Sequence, residues 1–504
     1  MPEPALPASF LPFAALLRGE AGELLELDKP LWLTQAPGRL EIIGSLLEGP
    51  GTATLTLPIA RSVYCAIQNR EDRRIRIRTL LPERLGGSQL WEGDIDTLYT
   101  KKGPPRSLAV LRQTFAEQGA EWMLRFVASM LGLRRTRQLN TPKVGFDLVV
   151  MSRVPTGLGL GERAAFGVAT ALAFKASTGL AKKRVDGVQV ARAVVQGARE
   201  VLGEEISLSD ALTSTLGRRD CALLVEHGVD PDMQWIPIPR QCSFAAVDLS
   251  YRDGIDPAPR ELVRLAGEMG LAHLNAARRQ EKQDAFGSWG QVTPGEFEGG
   301  LRSHVPASQS GADWLKQFRR RKEFAELAAR VDPERSYRMR ASCEHLCRES
   351  GRVRRLVAHI NDYARSLRET FLGEAGRTLL SSHRSLKEKC GISHPVADEF
   401  VKAHQEAGRQ EGLFGARLTL GGASSVFVSL VHQSARQQLR DLVADFTAAR
   451  EECGPGQVII GTQDGGGLRG WWEGVLEPVS APSVEGAEGA QPVGEVPVEP
   501  DASR

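Results

Sequence analysis

Three glycine-rich segments and one isolated aspartate are the feature of this chain that most constrains its fold. The segments read Ala36-Pro37-Gly38-Arg39, then Pro155-Thr156-Gly157-Leu158-Gly159-Leu160-Gly161-Glu162-Arg163, then Gly415-Ala416-Arg417-Leu418-Thr419-Leu420-Gly421-Gly422. Asp210 lies between the second and third segments. Because glycine lets the backbone approach a ligand closely, these segments predict loops that contribute to a binding site.

The second segment has the surroundings of an anion-binding loop. A predicted strand at 147–152 precedes it, and a predicted helix at 164–177, dense in apolar residues, follows it. The start of that helix offers free N–H groups, which would satisfy an anion such as a triphosphate. The segment is neither a Walker loop nor a dinucleotide fingerprint, since Glu162 replaces the third glycine of the latter. The alternative is a glycine-rich turn that leads into a buried helix.

The composition predicts a soluble globular protein of two to four domains, since 41% of the 504 residues are hydrophobic and 25% are charged. The net charge of +2 implies no general attraction to nucleic acid. The tail at 477–504 carries −5, so that the rest carries +7, which suits an anionic ligand. Seven scattered cysteines favour reduced thiols, and we find neither a membrane span nor a typical signal peptide. We therefore expect a cytoplasmic protein.

The pattern of strands and helices predicts an α/β or α+β first half. Short strands are expected at 31–33 and 40–43, on either side of a turn at the first glycine-rich segment. We expect an N-terminal extension at 1–30, domains at 31–234 and 235–476, and a disordered acidic tail at 477–504. Residues 280–311 are rich in Gly, Ser, Pro and Gln, which predicts a long loop, either an insertion or a mobile flap.

With these motifs the chain resembles the GHMP kinase superfamily, and within it galactokinase and L-arabinokinase. The second motif of that family reads roughly Pro-x-Gly-x-Gly-Leu-Ser-Ser-Ser-Ala-Ala, and the matching residues here are Pro155, Gly157, Gly159, Leu160, Ala164 and Ala165. The three serines fall on Gly161, Glu162 and Arg163. The resemblance implies an α+β, two-domain GHMP kinase fold, with a first domain similar to domain 2 of ribosomal protein S5 and a ferredoxin-like second domain. It also implies that residues 155–164 bind ATP.

The resemblance assigns roles to residues outside the loop as well. Asp210 corresponds to the catalytic aspartate and Arg39 to the residue that assists phosphoryl transfer. Glu48 and Gly44 fall at sugar-binding positions, and Gly421 and Gly422 belong to a third motif that supports the phosphate loop. The alternatives are that Asp210 or its neighbour caps a helix and that Arg39 is a surface arginine after a turn.

The metal positions depart from the family pattern. In the family a loop serine helps to hold Mg²⁺; here Glu162 could ligate the metal or repel the triphosphate, and Arg163 could pair with a phosphate. The second metal ligand of the family, a glutamate, aligns with Ala198. Glu200 is a nearby substitute, although it points about 200° away on an ideal helix. Glu204 and Glu205 are further substitutes.

The resemblance therefore implies a kinase that uses ATP and Mg²⁺ to phosphorylate the anomeric hydroxyl of a monosaccharide. It implies no nucleic-acid or membrane partner, and we expect a monomer or a small homo-oligomer. The departures leave a second hypothesis open. The chain could be a catalytically impaired relative that binds a sugar or a nucleotide in a regulatory role.

Overall fold

The computed structural model describes residues 5–19, 23–44, 46–80, 88–100, 103–139, 142–178, 186–251, 258–419 and 426–476. These residues form two main β-sheets with helices packed against them, which confirms the predicted α+β class. The predicted tail at 477–504 lies outside the described residues. No helix in the described ranges has an apolar stretch long enough to cross a lipid bilayer.

The strands of the described ranges run in chain order from β1 to β14. They are β1 Leu31–Gly44, β2 Ala53–Asn69, β3 Arg74–Leu80, β4 Ser88–Asp94, β5 Phe146–Ser152, β6 Cys221–Glu226, β7 Asp232–Pro237, β8 Cys242–Asp248, β9 Gln309–Ser310, β10 Ser336–Tyr337, β11 Leu413–Leu418, β12 Val426–His432, β13 Gln457–Ile459 and β14 Trp471–Gly474.

The α-helices of the described ranges run in chain order from α1 to α16. They are α1 Leu11–Leu17, α2 Ile95–Leu98, α3 Leu108–Glu117, α4 Leu124–Arg135, α5 Glu162–Ser177, α6 Gly187–Gly197, α7 Leu208–Leu216, α8 Ala258–Gln280, α9 Pro294–Gly299, α10 Gly311–Phe318, α11 Ala325–Arg330, α12 Met339–Ser366, α13 Glu369–Ser385, α14 Pro395–Ala407, α15 Arg436–Ala448 and α16 Gly466–Arg469. A wider π-helical turn, Ala198–Leu202, continues α6.

Two long strands organise the first sheet. β1 pairs with β2 in antiparallel fashion, and β2 pairs with β6 through its first half and with β5 through its second half. The prediction of two short strands separated by a turn was wrong, because β1 runs continuously through Pro37 and Gly38. A register shift between Pro37 and Arg39 interrupts the pairing there. Proline and glycine usually mark turns, but both are also tolerated at a bulge within a strand.

Both faces of this sheet are covered. Helices α4, α5 and α6 pack on one face, around buried residues of β1, β2 and β5. On the other face, Phe10 and Phe13 of the N-terminal extension are fully buried against Tyr64 of β2. Burial on both sides explains why β1 and β2 are almost continuously buried along their length.

The second sheet has the strand order β11-β12-β8-β13, and all its pairings are antiparallel. Helices α14 and α15 enclose a separate core against it, centred on Phe400, Phe427 and Phe446. Two strands of the first sheet bear on the predicted domain limits, since β7 crosses residue 234 and β14 returns to pair with β1. The predicted division therefore stays a proposal.

The segment 280–311 differs from the predicted long loop. It contains α9, which begins with a capping box formed by Thr293 and Glu296. Trp289, Phe297 and Val305 of this segment are almost completely buried in a core shared with α8 and α12. The apolar residues are too widely spaced to form a regular pattern, so the Gly- and Ser-rich composition dominated the prediction.

Candidate functional site

The glycine-rich loop between β5 and α5 is anchored by its leucines and exposes backbone at its glycines. Leu158 and Leu160 are buried, at 5% and 1% exposure. Gly157, Gly159 and Gly161 have φ angles of +76°, +65° and +76°. Residues that carry a side chain rarely adopt this left-handed backbone conformation, whereas glycine does so readily. The alternation of buried leucines and left-handed glycines therefore fixes the path of the loop. Helix α5 begins after Gly161 without a side-chain cap, which leaves its first N–H groups available to an anion.

Strand β1 holds the loop in place. The backbone N–H of Arg39 donates to the Leu160 carbonyl at 2.8 Å. A Cβ atom on Gly38 would lie 2.6 Å from the Leu160 carbonyl oxygen and 2.7 Å from a methyl of Val154. A glycine at this position of the first motif is therefore required by the close approach of the loop.

Arg39 and Asp210 form the central ion pair of the site. Nε of Arg39 donates to Oδ1 of Asp210 at 2.5 Å, and Nη2 donates to Oδ2 at 2.7 Å. Nη1 donates to the Gly159 carbonyl at 2.5 Å, so the same guanidinium joins the aspartate to the loop. The two side chains are 5% and 14% exposed. Burial lowers the pKa of Arg39, but Asp210 outweighs it and the net shift is upward, so Arg39 stays charged.

Glu48 caps the helix that carries Asp210. Its carboxylate accepts hydrogen bonds from the hydroxyls of Ser207 and Ser209, at 2.5 and 2.6 Å, and from the N–H of Leu208 at 3.0 Å. Burial raises the pKa of Glu48, but His227 and these hydrogen bonds outweigh it and leave the pKa below its ordinary value. The predicted sugar-binding carboxylate is therefore occupied by the N-terminus of α7.

The alternative that Asp210 caps the helix does not hold, because Ser207 and Glu48 provide the cap of α7. Asp210 lies in the first turn, where the helix dipole favours a negative charge. Helix α7 is fixed to β2 through a hydrogen bond of 2.5 Å between the hydroxyls of Thr213 and Thr56. The position of the Asp210 carboxylate is thus set by packing along the whole helix.

A cleft of about 720 Å³ opens beside the ion pair. Arg39, Glu41 and Asp210 line it from the first sheet and α7, and Arg260 and Arg264 line it from α8. The cleft therefore lies between elements of the two predicted domains. Its volume is in the range of small-molecule sites, and charged groups dominate its polar lining.

Glu41 is a cleft residue that the sequence analysis did not single out. It follows Arg39 by two positions on β1, and the period of two places both side chains on the same face. Oε1 of Glu41 is buried without a hydrogen-bond partner and lies 3.6 Å from Nη1 of Arg417. Arg417, fully buried, also donates to the Ser382 hydroxyl at 2.9 Å and to the Ile42 carbonyl at 3.2 Å. The spacing from Arg39 was the signal that could have identified Glu41.

The other predicted binding residues are placed as follows. Pro155 is half-buried in the loop, and Ala164 is buried in the first turn of α5. Gly44 ends β1 opposite Thr54, and a Cβ atom on it would lie 2.6 Å from the Thr54 side chain, so packing accounts for this glycine. Gly421 and Gly422 lie outside the described residues.

The two predicted metal ligands, Glu162 and Glu200, each turn towards an arginine. Glu162 is 8% exposed and turns towards Arg125, 3.8 Å away, and its burial raises its pKa. Glu200 accepts from Gln196 at 2.9 Å and pairs with Arg135 at 3.3 Å. Within the described ranges, no three His, Cys, Asp or Glu residues are grouped to hold a metal ion. Because each carboxylate turns towards an arginine, Glu162 and Glu200 do not fit the Mg²⁺ that the resemblance implies.

The fold and the site together define a GHMP kinase-like protein. Residues 124–218, from the start of α4 to just beyond α7, match the family model described as the GHMP kinases N terminal domain. This segment contains the glycine-rich loop and Asp210, so the comparison confirms the resemblance that the motifs predict.

Individual relatives agree with this assignment. The chain is 21% identical over 485 residues to the L-arabinokinase of Arabidopsis thaliana, covering 86% of this chain but 46% of that protein, so it spans about half of that relative's length. It is 25% identical over 417 residues to the galactokinase of Roseiflexus sp. (strain RS-1), covering 82% of this chain and 86% of the relative. Lactococcus lactis galactokinase, solved in complex with galactose, superposes with a TM-score of 0.64 at 16% identity, covering 90% and 99% of the two chains. This structural likeness confirms the two-domain GHMP kinase fold.

Proposed function

We propose that this protein is a phosphotransferase of the GHMP sugar-kinase type, which transfers the terminal phosphate of ATP to the anomeric hydroxyl of a monosaccharide. The observation that carries the proposal is the buried Arg39–Asp210 pair, which the Gly159 carbonyl ties to the glycine-rich loop. A carboxylate next to a phosphate-binding loop is the arrangement needed to act on an acceptor hydroxyl. The names of the two relatives, arabinokinase and galactokinase, support a sugar as the acceptor.

The residues then divide the work as follows. Asp210 orients the acceptor hydroxyl and takes up its proton as the oxygen attacks the terminal phosphate. Arg39 offsets the negative charge that develops between the loop and the acceptor. Glu41 lines the same cleft, so its carboxylate accepts a hydrogen bond from another sugar hydroxyl, the role predicted for Glu48.

The test is a coupled assay of ATP turnover with a panel of aldoses and hexosamines, run on the full chain. We expect turnover with at least one sugar, and its loss by a factor of about 10² to 10⁴ in Asp210→Asn. Glu41→Gln should raise KM for the sugar more than it lowers kcat. Turnover with none of these sugars would rule out the proposed acceptor class.

A second function is favoured by the loop itself. Gly161, Glu162 and Arg163 replace the three serines of the family motif, and Ala198 replaces its glutamate. A regulatory protein that binds a sugar or a nucleotide without transferring phosphate would tolerate these changes. Thermal unfolding distinguishes the two functions, since a ligand at 100 times its Kd adds about 2.7 kcal/mol to the free energy of unfolding. A midpoint raised by a sugar but unchanged by ATP would favour the regulatory protein.

A further inference from the structure

The end of α6 presents a cation to the cleft where the family pattern has a metal-binding glutamate. The helix widens there into the π-helical turn Ala198–Leu202, a distortion that is frequent at functional sites. Ala198 is buried at 3% exposure, and Glu200 turns towards Arg135. Arg199 is the residue of this turn that lines the cleft, and it is exposed. Within the described ranges Arg199 forms no hydrogen bond or ion pair.

A second cation lies on the loop side of the same cleft. Arg163, in the first turn of α5, takes the position of a serine in the family motif, and its side chain is 54% exposed. The nearest carboxylate to Arg163 is that of Glu204, at 3.6 Å, which is beyond hydrogen-bond distance. Arg163 and Ala198 also line one small pocket of about 20 Å³, so the loop and the π-helical turn are neighbours.

We propose that Arg163 and Arg199 bind the phosphate groups of ATP in place of a divalent cation, so that nucleotide binding does not depend on metal. The inference rests on the proposed function, since it concerns the nucleotide of that reaction. Guanidinium groups bind phosphate oxygens through paired, charge-assisted hydrogen bonds. An arginine side chain also stays positively charged throughout the physiological pH range. Arg163 thus replaces one of the loop serines of the family, and Arg199 directly follows Ala198, which replaces the metal-binding glutamate.

The acidic residues near this end of the cleft leave room for phosphate. Glu205 pairs with Arg264 at 2.6 Å. Glu162 turns towards Arg125 on α4, 3.8 Å away. Glu204 is the remaining carboxylate, and Arg163 would exchange this long contact for a phosphate oxygen.

The experiment is calorimetric titration of the full chain with ATP, once in Mg²⁺ and once in EDTA. We expect Kd values that agree within about threefold, because the protein supplies the cations itself. Arg163→Ala and Arg199→Ala should each weaken binding in EDTA by about tenfold or more, the value of one hydrogen bond to a charged group. Arg240→Ala, at an exposed arginine outside the cleft, is the matched control and should leave the Kd unchanged.

The outcomes separate this inference from the function on which it rests. Binding in Mg²⁺ but not in EDTA would overturn the inference and leave a metal-dependent kinase standing. Unchanged affinity in both arginine variants would overturn it as well. Failure to bind ATP in either buffer would overturn the proposed ATP-dependent function and, with it, the inference. Unfolding midpoints of the variants close to that of the parent would show that they are folded.

Discussion

Replacing Asp210 with asparagine tests the ion pair on which the proposed site depends. The substitution keeps the size of the side chain and one acceptor for Arg39, but it removes the negative charge. Arg39 would then hold its charge in a position with 5% side-chain exposure. The hydrogen bond from Arg39 to the Gly159 carbonyl would remain, but this carbonyl carries no charge to balance the guanidinium.

The expected loss of stability follows from this geometry. Removing one partner of a buried ion pair costs about 3–5 kcal/mol, because the other charge is left unpaired. Asp210 is 14% exposed, so water offsets part of the loss, and we take about 3 kcal/mol as the expected change. For a domain of about 200 residues this corresponds to a fall in the unfolding midpoint of about 6–12 °C.

The measurement is a double-mutant cycle on the free energy of unfolding, determined by urea titration. The cycle uses Asp210→Asn, Arg39→Met and the double variant. The double variant leaves neither charge alone, so it should be more stable than the sum of the single changes predicts, by about 2 kcal/mol. Asp230→Asn is the control, because Asp230 pairs with Arg192 but its side chain is 94% exposed.

Additive effects of the two substitutions, within about 0.5 kcal/mol, would show that the residues do not interact in the folded protein. A loss in Asp230→Asn as large as that in Asp210→Asn would show that charge removal in general, rather than this pair, destabilises the fold. Either result would refute the reasoning, and with it the placement of the acceptor hydroxyl beside Asp210.

Three further predictions concern the residues around this pair. Glu48→Gln should be less stable than the parent at pH 7 and should lose less stability in acid, because the lowered pKa of Glu48 stabilises the fold above about pH 4.5 and this is lost as pH falls. Parallel stability curves between pH 3 and 7 would contradict this. Glu162→Gln should gain stability relative to the parent as pH rises above about 4.5, because the raised pKa of Glu162 makes ionisation costly in the folded state. Unfolding midpoints from pH 4 to 8 check it, and a constant difference would argue against a buried carboxyl. Gly38→Ala should cost about 1–3 kcal/mol and weaken ATP binding, since the added methyl meets the Leu160 carbonyl, whereas Gly295→Ala has open space and should lose nothing. Equal stability of the two alanine variants would show that the loop does not pack on β1.

The sequence predicts those parts of the site that depend on short local patterns. The strand, glycine-rich loop and helix were predicted with bounds close to those of β5 and α5. The pairing of the loop with Asp210 also followed, because the order of the motifs matches a family whose fold brings them together. The continuity of β1 did not follow, since a Pro-Gly pair has the same local preference in a bulge as in a turn.

Other features of the site depend on contacts that are remote in sequence. Glu48 lies 159 positions from Ser207, and its capping role appears only when α7 is placed above it. The direction of Arg199 depends on a π-helical turn, which departs from the ideal helix expected there. The packing of segment 280–311 depends on α8 and α12, and no residue of the segment indicates those partners by itself.

The shape of the loop and the chemistry of its polar residues are set by different contacts. Its path depends on buried Leu158 and Leu160 and on the close approach of Gly38. Substitutions such as Arg163 can therefore accumulate on the exposed side without altering the path of the loop. The same separation explains why Arg39 and Asp210 keep a bidentate geometry beside a loop that has lost its serines. A buried ion pair confers little stability over apolar residues of similar size, so folding alone does not require one at this position. Its presence in the lining of the cleft is therefore better explained by the proposed phosphoryl transfer than by the needs of folding.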